Sequence, residues 1–338
     1  MAALCSTPSS RASAKRARQQ ARRAESLSGS IRQFLTPEVW KQARQAAHAA
    51  GCRNDPRWSL QPLILTWAMM TWCAGPTDAE RFLTARTFYV RVHGPKRKRP
   101  GQYFSGFHKA VRRLPMTVWW AVGAAVRRQL ERTLADRMVV DGWTTFGCDG
   151  TRLECPRTQQ LEDDLGQASK PGSAPMLWIT ALVSLRTGVL WSWRLGTAKA
   201  GERQHLLDLL EDLPRAPLAP VLLVCDAGYV SYELIRTLLG RGCSFLIRLS
   251  SQAQLYSDAG VEVAMFREGQ FWYWTDKAEK AEKPPLRVRV IRVASRKRKN
   301  DVWLVTDVLD PQLLSAESAG RLYRMRWESE CFSRLTSV

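Results

Sequence analysis

Three carboxylates occupy positions from which acids can do chemistry. Asp149 lies in Gly147-Cys148-Asp149-Gly150-Thr151-Arg152-Leu153, directly after a short β-leaning stretch, Gly142 to Cys148. Asp226 ends a continuous apolar run in Leu222-Leu223-Val224-Cys225-Asp226-Ala227-Gly228-Tyr229. Glu330 shares a stripe with Tyr323 and Arg326 at i, i+3 and i+7 of a C-terminal helical pattern, since successive helical residues turn by about 100°. Its neighbour Glu328 falls on the opposite side. Acids at the carboxyl ends of strands face the crevice in which α/β sheets bind ligands. Two of them on adjacent strands repel unless a cation lies between, and either Arg152 or a metal ion would serve. A donor set of oxygen alone favours Mg²⁺ or Mn²⁺. The plainer readings are that Asp149 and Asp226 are turn residues ahead of Gly150 and Gly228, and that a Tyr/Arg/Glu stripe is an exposed charged face. Cysteine and histidine offer no rival chemistry: eight cysteines include no C-x2-C pair, and four histidines lie far apart, so neither a zinc ribbon nor a disulfide scaffold fits.

The elements that must position these acids follow from pattern. Gly142 to Cys148 reads as a strand, Met176 to Leu185 and Val189 to Leu195 as a hairpin about Arg186-Thr187-Gly188, and Pro220 to Cys225 as a buried strand. Glu202 to Leu213 and Ser231 to Leu239 read as helices, which gives an α/β order with a mixed sheet. Phe271-Trp272-Tyr273-Trp274 and Leu286 to Val293 read as strands with no helix between them, followed by the basic tip Ser295-Arg296-Lys297-Arg298-Lys299. Ser315 to Leu335 is the final helix, and Leu322, Met325 and Phe332 on an adjoining stripe can pack on the sheet.

The first part of the chain is of another kind. Net charge is +20 over 338 residues. Residues 1–140 carry 25 Lys+Arg against 7 Asp+Glu, or +18, and residues 141–338 carry 26 against 24, or +2. A surplus so placed predicts a polyanionic partner for the first part. Residues 1–30 have almost nothing large and apolar to bury and read as a disordered basic arm. Thr36-Pro37-Glu38 starts a helix that Gly51 stops, Pro62 opens a second with Leu63, Trp67 and Met70 at helical spacing, and Thr77-Asp78-Ala79-Glu80 caps a third. Val111 to Val139 is one long helix or two. Lys96, Arg97, Lys98 and Arg99, between prolines in a segment of +13 (residues 31–140, 19 − 6), are assigned to phosphate contact.

At 45% hydrophobic residues the chain is not wholly disordered. Its longest apolar run, Leu60 to Ala74, falls short of the roughly 20 residues of a membrane span. The basic N-terminus has no apolar stretch of the kind a secretory signal needs. A cytoplasmic protein with no membrane partner is the expectation.

Together, Asp149-Gly-Thr-Arg, Cys225-Asp226-Ala-Gly-Tyr-Val-Ser-Tyr-Glu-Leu and Leu322-Tyr323-Arg324-Met325-Arg326-Trp327-Glu328-Ser329-Glu330 resemble the DDE transposases of the IS4 type over about residues 140–335. Tyr-x2-Arg-x3-Glu is the most diagnostic part. The resemblance implies a ribonuclease H-like mixed sheet at 139–250 and 306–338, interrupted by a β-rich insertion at 251–305 and preceded by a helical DNA-binding domain at 31–138. It implies Asp149, Asp226 and Glu330 as catalytic metal ligands for Mg²⁺ or Mn²⁺, with Tyr323 and Arg326 positioning DNA beside them. It implies cleavage at transposon ends and strand transfer to target DNA, by a homodimer on double-stranded DNA. The family's lysine seven residues after the glutamate is Ser337 here, and the chain ends at Val338, which is read as a truncated copy with weakened activity. A catalytically inactive remnant that only binds DNA is the alternative, and a ribonuclease H-like nuclease unrelated to transposition is a third reading.

Overall fold

The computed structural model describes residues 29, 31–52, 57–93, 100–167, 172–294 and 301–329. The basic run Lys96 to Arg99, the tip 295–299, almost all of the arm 1–30, and Glu330, Phe332 and Ser337 lie outside them. The chain divides into two compact units, Met1–Leu130 and Glu131–Val338.

The first unit is helical: α1 Pro37–Ala49, α2 Leu60–Met70, α3 Asp78–His93, α4 Phe104–Arg112 and α5 Met116–Leu134. Local chemistry sets most of the ends. Thr36 precedes α1 in extended conformation with proline at N1, where its missing N–H costs nothing. The Glu80 amide bonds Thr77 Oγ1 at 3.3 Å at the start of α3. Pro115 separates α4 from α5, because the residue before a proline is driven out of helical geometry. α2 starts two residues ahead of Pro62, since a proline is tolerated throughout a first turn whose amides have no helical partner. Leu63 and Met70 are buried, whereas Trp67 is 42% exposed, so the three do not share one buried face. Val39, Trp40, Leu63, Ile64, Phe82, Ala85 and Phe107 make the core, with Phe107 edge-on to Trp58 at 5.0 Å.

The second unit is a mixed α/β structure with α-helices on a ten-stranded sheet. Its strands are β1 Val139–Val140, β2 Trp143–Glu154, β3 Met176–Ser184, β4 Leu190–Gly196, β5 Val221–Cys225, β6 Ser244–Arg248, β7 Leu255–Tyr256, β8 Gly269–Tyr273, β9 Leu286–Val293 and β10 Val302–Thr306. The helices are α6 Gln159–Leu165, α7 Glu202–Leu209, α8 Tyr232–Gly240, α9 Asp276–Lys280 and α10 Ala316–Ser329. The sheet order is β4-β3-β2-β5-β6-β10-β9-β8-β7, with β1 on β2. β2, β3 and β4 form an antiparallel meander, and β5 and β6 run parallel to β2, the ribonuclease H-like arrangement. β10 pairs antiparallel with β6, so the strands from 255 onward extend the same sheet. The turn between β1 and β2 holds Asp141 at φ 51° and Gly142 at φ 81°, the two positive φ angles of a two-residue hairpin of type I′.

Two expectations change. β2 runs twelve residues, well past Cys148, because β3 pairs with it as far as Glu154. Asp149 is therefore a strand residue opposite Ala181, and no turn follows at Gly150. Between β8 and β9 stands α9, a short helix where none was expected, started by Thr275, whose hydroxyl accepts from the Ala278 amide.

The sheet buries both faces. Leu222 and Val224 of β5 pack with Leu246, Ile291, Leu304, Ala319 and Leu322 under α10. The intervening Leu223 and Cys225 are fully buried and face the other way, since strand side chains alternate. Among the described residues no helix is long and apolar enough to cross a membrane.

Candidate active site

The two aspartates are brought level by strand register. Gly147 of β2 sits beside Val224 of β5 in the last parallel pair, so Asp149 and Asp226, each two residues on, emerge side by side where β5 ends. β2 continues beyond that point with β3 as its only partner, which opens one side of the strand. Both carboxylates remain accessible, with side-chain exposures of 38% and 41%.

Against them lies α10, held on the sheet by Ala319 and Leu322, both 0% exposed. One turn of that helix presents Tyr323 and Arg326 to the acids. The Tyr323 hydroxyl donates to Asp226 Oδ1 at 3.3 Å. Arg326 Nη1 stands 3.8 Å from Asp149 Oδ1 and Nη2 4.0 Å from Asp226 Oδ2. Arg326 is 1% exposed and Tyr323 4%, so their polar ends are turned to the carboxylates. The Arg326 guanidinium also lies over the Tyr323 ring, 5.4 Å from its centre. Arg248 from β6 adds a second cation, 4.0 Å from Asp226.

The cation between the aspartates is thus Arg326, from a helix remote in sequence from both strands. Arg152, three residues after Asp149, instead stacks on Trp178 at 4.2 Å. Of the two cations the sequence reading left open, Arg152 or a metal ion, Arg152 is excluded because alternate strand residues leave opposite faces: Arg152 and Asp149 differ by an odd number.

Burial pushes the Asp149 carboxyl above the ordinary carboxylate value; Arg326 and the Gly150 amide pull it back, and Asp226 adds to the push. Burial likewise raises the Tyr323 phenol, which keeps it a hydrogen-bond donor. Beneath the acids, Cys148 and Cys225 are completely buried. Burial drives the Cys225 thiol up to about 12, so both behave as apolar packing, as expected of cysteines without ligand spacing.

A third acid that sequence reasoning did not single out stands near. Burial and the charge of Asp149 raise the Glu202 carboxyl, with Asp226 adding to the rise and Arg152 opposing it. No local signal marks Glu202, because its neighbourhood is created by the β2–β3–β4–α7 path through space. Among the described residues there is no group of three or more His, Cys, Asp or Glu that could hold a metal ion. The donors present are nonetheless carboxylate oxygens, which are what Mg²⁺ or Mn²⁺ would take.

The family model described as the transposase DDE domain matches residues 147–338. The chain belongs to that family. Its matched segment begins two residues before Asp149 and takes in Asp226, Tyr323, Arg326 and Glu330, so all three acids of the sequence reading fall within the DDE domain. DNA transposition is the activity this membership supports. No curated protein matches the chain. Among solved structures it is similar to a piggyBac transposase determined in a synaptic complex with hairpin DNA, at 10% identity and a TM-score of 0.38, covering 89% of this chain and 67% of that one.

Proposed function

We propose that this DDE-domain protein is a transposase of the IS4 type, working in the cytoplasm as a homodimer on double-stranded DNA. It cleaves phosphodiester bonds at transposon ends and transfers strands to target DNA. One observation carries the reading: Asp149 and Asp226 lie level on neighbouring parallel strands, with the tyrosine and arginine of Tyr-x2-Arg-x3-Glu turned onto them. Glu330, four residues after Arg326, is the third acid in this reading. Residues 31–138 bind DNA, 139–250 and 306–338 are catalytic, and 251–305 is the insertion.

Asp149, Asp226 and Glu330 would hold Mg²⁺ or Mn²⁺. Ions bound there would supply Lewis-acid activation of a water or 3′-hydroxyl and charge stabilisation of the leaving oxygen. The chain's own side chains prepare the acids. Tyr323 fixes the orientation of Asp226, and Arg326 offsets the mutual repulsion of the two carboxylates. Lys96, Arg97, Lys98 and Arg99 contact phosphates.

The test is Mg²⁺-dependent cleavage of DNA carrying the flanking inverted repeats. Asp149→Asn, Asp226→Asn and Glu330→Gln are each expected to lower the rate by about a hundredfold or more while DNA binding persists. Cleavage that survives EDTA or all three substitutions refutes the reading, and binding without cleavage by the unaltered chain leaves only a DNA-binding remnant.

A further inference from the structure

We propose that α4 reads the base sequence of the transposon end: its exposed stripe enters the major groove of duplex DNA, where Lys109 and Arg112 donate to base edges. The inference rests on the DNA-binding role given above to residues 31–138 and goes beyond it by naming the element, the groove and the bases read.

The first argument is the makeup of one helix face. Ser105, His108, Lys109 and Arg112 stand at i, i+3, i+4 and i+7, so they share a stripe of α4. All four are exposed. Each can donate a hydrogen bond, and none is an acid. The bias reaches well beyond the helix, because residues 81–130 hold twelve Lys and Arg and no Asp or Glu. A face that is merely solvated mixes both signs, as in the second unit, where Arg157, Arg241 and Arg292 each pair with a carboxylate. A stretch of one sign carries a self-repulsion that a polyanion relieves.

The second argument is how firmly α4 is placed. On the side away from the stripe Phe107 is 0% exposed and Ala110 is buried, and the Phe107 ring lies 4.9 Å from that of Phe82 in α3. Arg86 of α3 donates from Nε to the Gly101 carbonyl at 2.8 Å and from Nη2 to the Pro100 carbonyl at 3.2 Å. The chain entering α4 is thus tied to the helix before it. A Cβ on Gly101 would lie 2.6 Å from Trp58 Nε1, so the approach is close as well as bonded. Phosphate contact tolerates a loose loop, whereas reading base edges needs side chains on a rigid element.

The chemistry follows from the donors. The major groove, about 12 Å wide, admits an α-helix. From Ser105 to Arg112 the stripe runs about 10 Å at roughly 1.5 Å per residue, which matches about three base-pair steps. Guanine offers N7 and O6 as paired acceptors on the groove floor, and Arg and Lys are the side chains that donate to both. With no carboxylate on the stripe to take the cytosine amino group, the bases read by Lys109 and Arg112 are guanines.

The experiment is binding of the full chain, at one fixed salt concentration, to a duplex carrying the flanking inverted repeat and to a scrambled duplex of equal length and composition. Lys109→Ala and Arg112→Ala are each expected to weaken binding to the repeat about 10-fold or more while binding to the scrambled duplex falls much less, which also shows that the domain is folded. Arg112→Lys keeps the charge without the planar fork, so it should bind the scrambled duplex like the unaltered chain and lose preference for the repeat. Methylation of guanine N7 in the repeat should weaken binding by the unaltered chain and have less effect on Arg112→Ala. If the substitutions lower both affinities equally or change neither, or if N7 methylation has no effect, the proposal falls and DNA binding by residues 31–138 stands. The same holds if the unaltered chain binds the two duplexes alike. If it binds neither, both readings fall.

Discussion

A guanidinium at 1% exposure faces two carboxylates that are each about two-fifths exposed. Its separations, 3.8 and 4.0 Å, make it a shared counter-charge rather than a tight bidentate partner. Replacing it strands two acids beside each other, and loss of one partner of a buried charge group is among the costlier substitutions. Arg326→Gln should lower stability by about 1–3 kcal/mol at neutral pH, and Asp149→Asn added to it should restore part of that loss. Urea titration of the four chains of the cycle checks this, and strictly additive effects would show that the two residues are uncoupled. The sequence marked Arg326 by its place on a helical stripe. It could not show which cation reaches Asp149, since Arg152 is closer along the chain but leaves the other side of its strand. Glu202 stayed hidden for the same reason, its partners being set by topology.

At the scale of elements, the helix bearing Tyr323 and Arg326 is tied to the sheet by more than its apolar face. Arg321 pairs with Asp141 in the β1–β2 turn, and the Ser318 hydroxyl bonds the same carboxylate. The Arg321 hydrogen bond, foremost, holds the Asp141 carboxyl below its ordinary value. An acid depressed in the folded chain contributes stability that is fully present above its unfolded value, about 3.9, and is lost as pH falls through the folded one. Asparagine tolerates the positive φ of position 141. Asp141→Asn should therefore lower the melting temperature by at most about 2 °C at neutral pH, and the difference should shrink below about pH 3.9 and vanish once pH has fallen through the lowered folded-state value. A difference that persists in acid would assign the effect to the turn backbone instead. The elements most legible in the sequence were those whose ends are decided locally, such as α1 after Thr36-Pro37 and α3 after Thr77. β2 was read too short because its second half exists only through pairing with β3, and α9 was missed because a five-residue helix has too few turns to show a period. Spacing alone does not say how wide a helix's buried face is, which is why Trp67 lies exposed at helical spacing from the buried Leu63 and Met70.

For the molecule as a whole, 18 of the 20 net positive charges lie within residues 1–140, and the DDE-domain segment is nearly balanced. DNA affinity is then expected to come from the first part, with a steep dependence on salt. Changing Lys96, Arg97, Lys98 and Arg99 together to alanine should reduce the slope of log K against log salt by up to about 3.6, roughly 0.9 for each phosphate no longer neutralised. An unchanged slope would remove that run from the interface. The placement of Arg326 also has a meaning in time. A chain is made from its N-terminus and its early parts fold first. Asp149 and Asp226 leave the ribosome long before the arginine that faces them, and β6 waits for β10 across the whole stretch between Arg248 and Leu304. The growing polypeptide therefore carries Asp149 without Arg326, and Asp226 with Arg248 alone, until the helix bearing Arg326 has been synthesised, so translation itself sets the order in which the site is assembled, with Arg326 last.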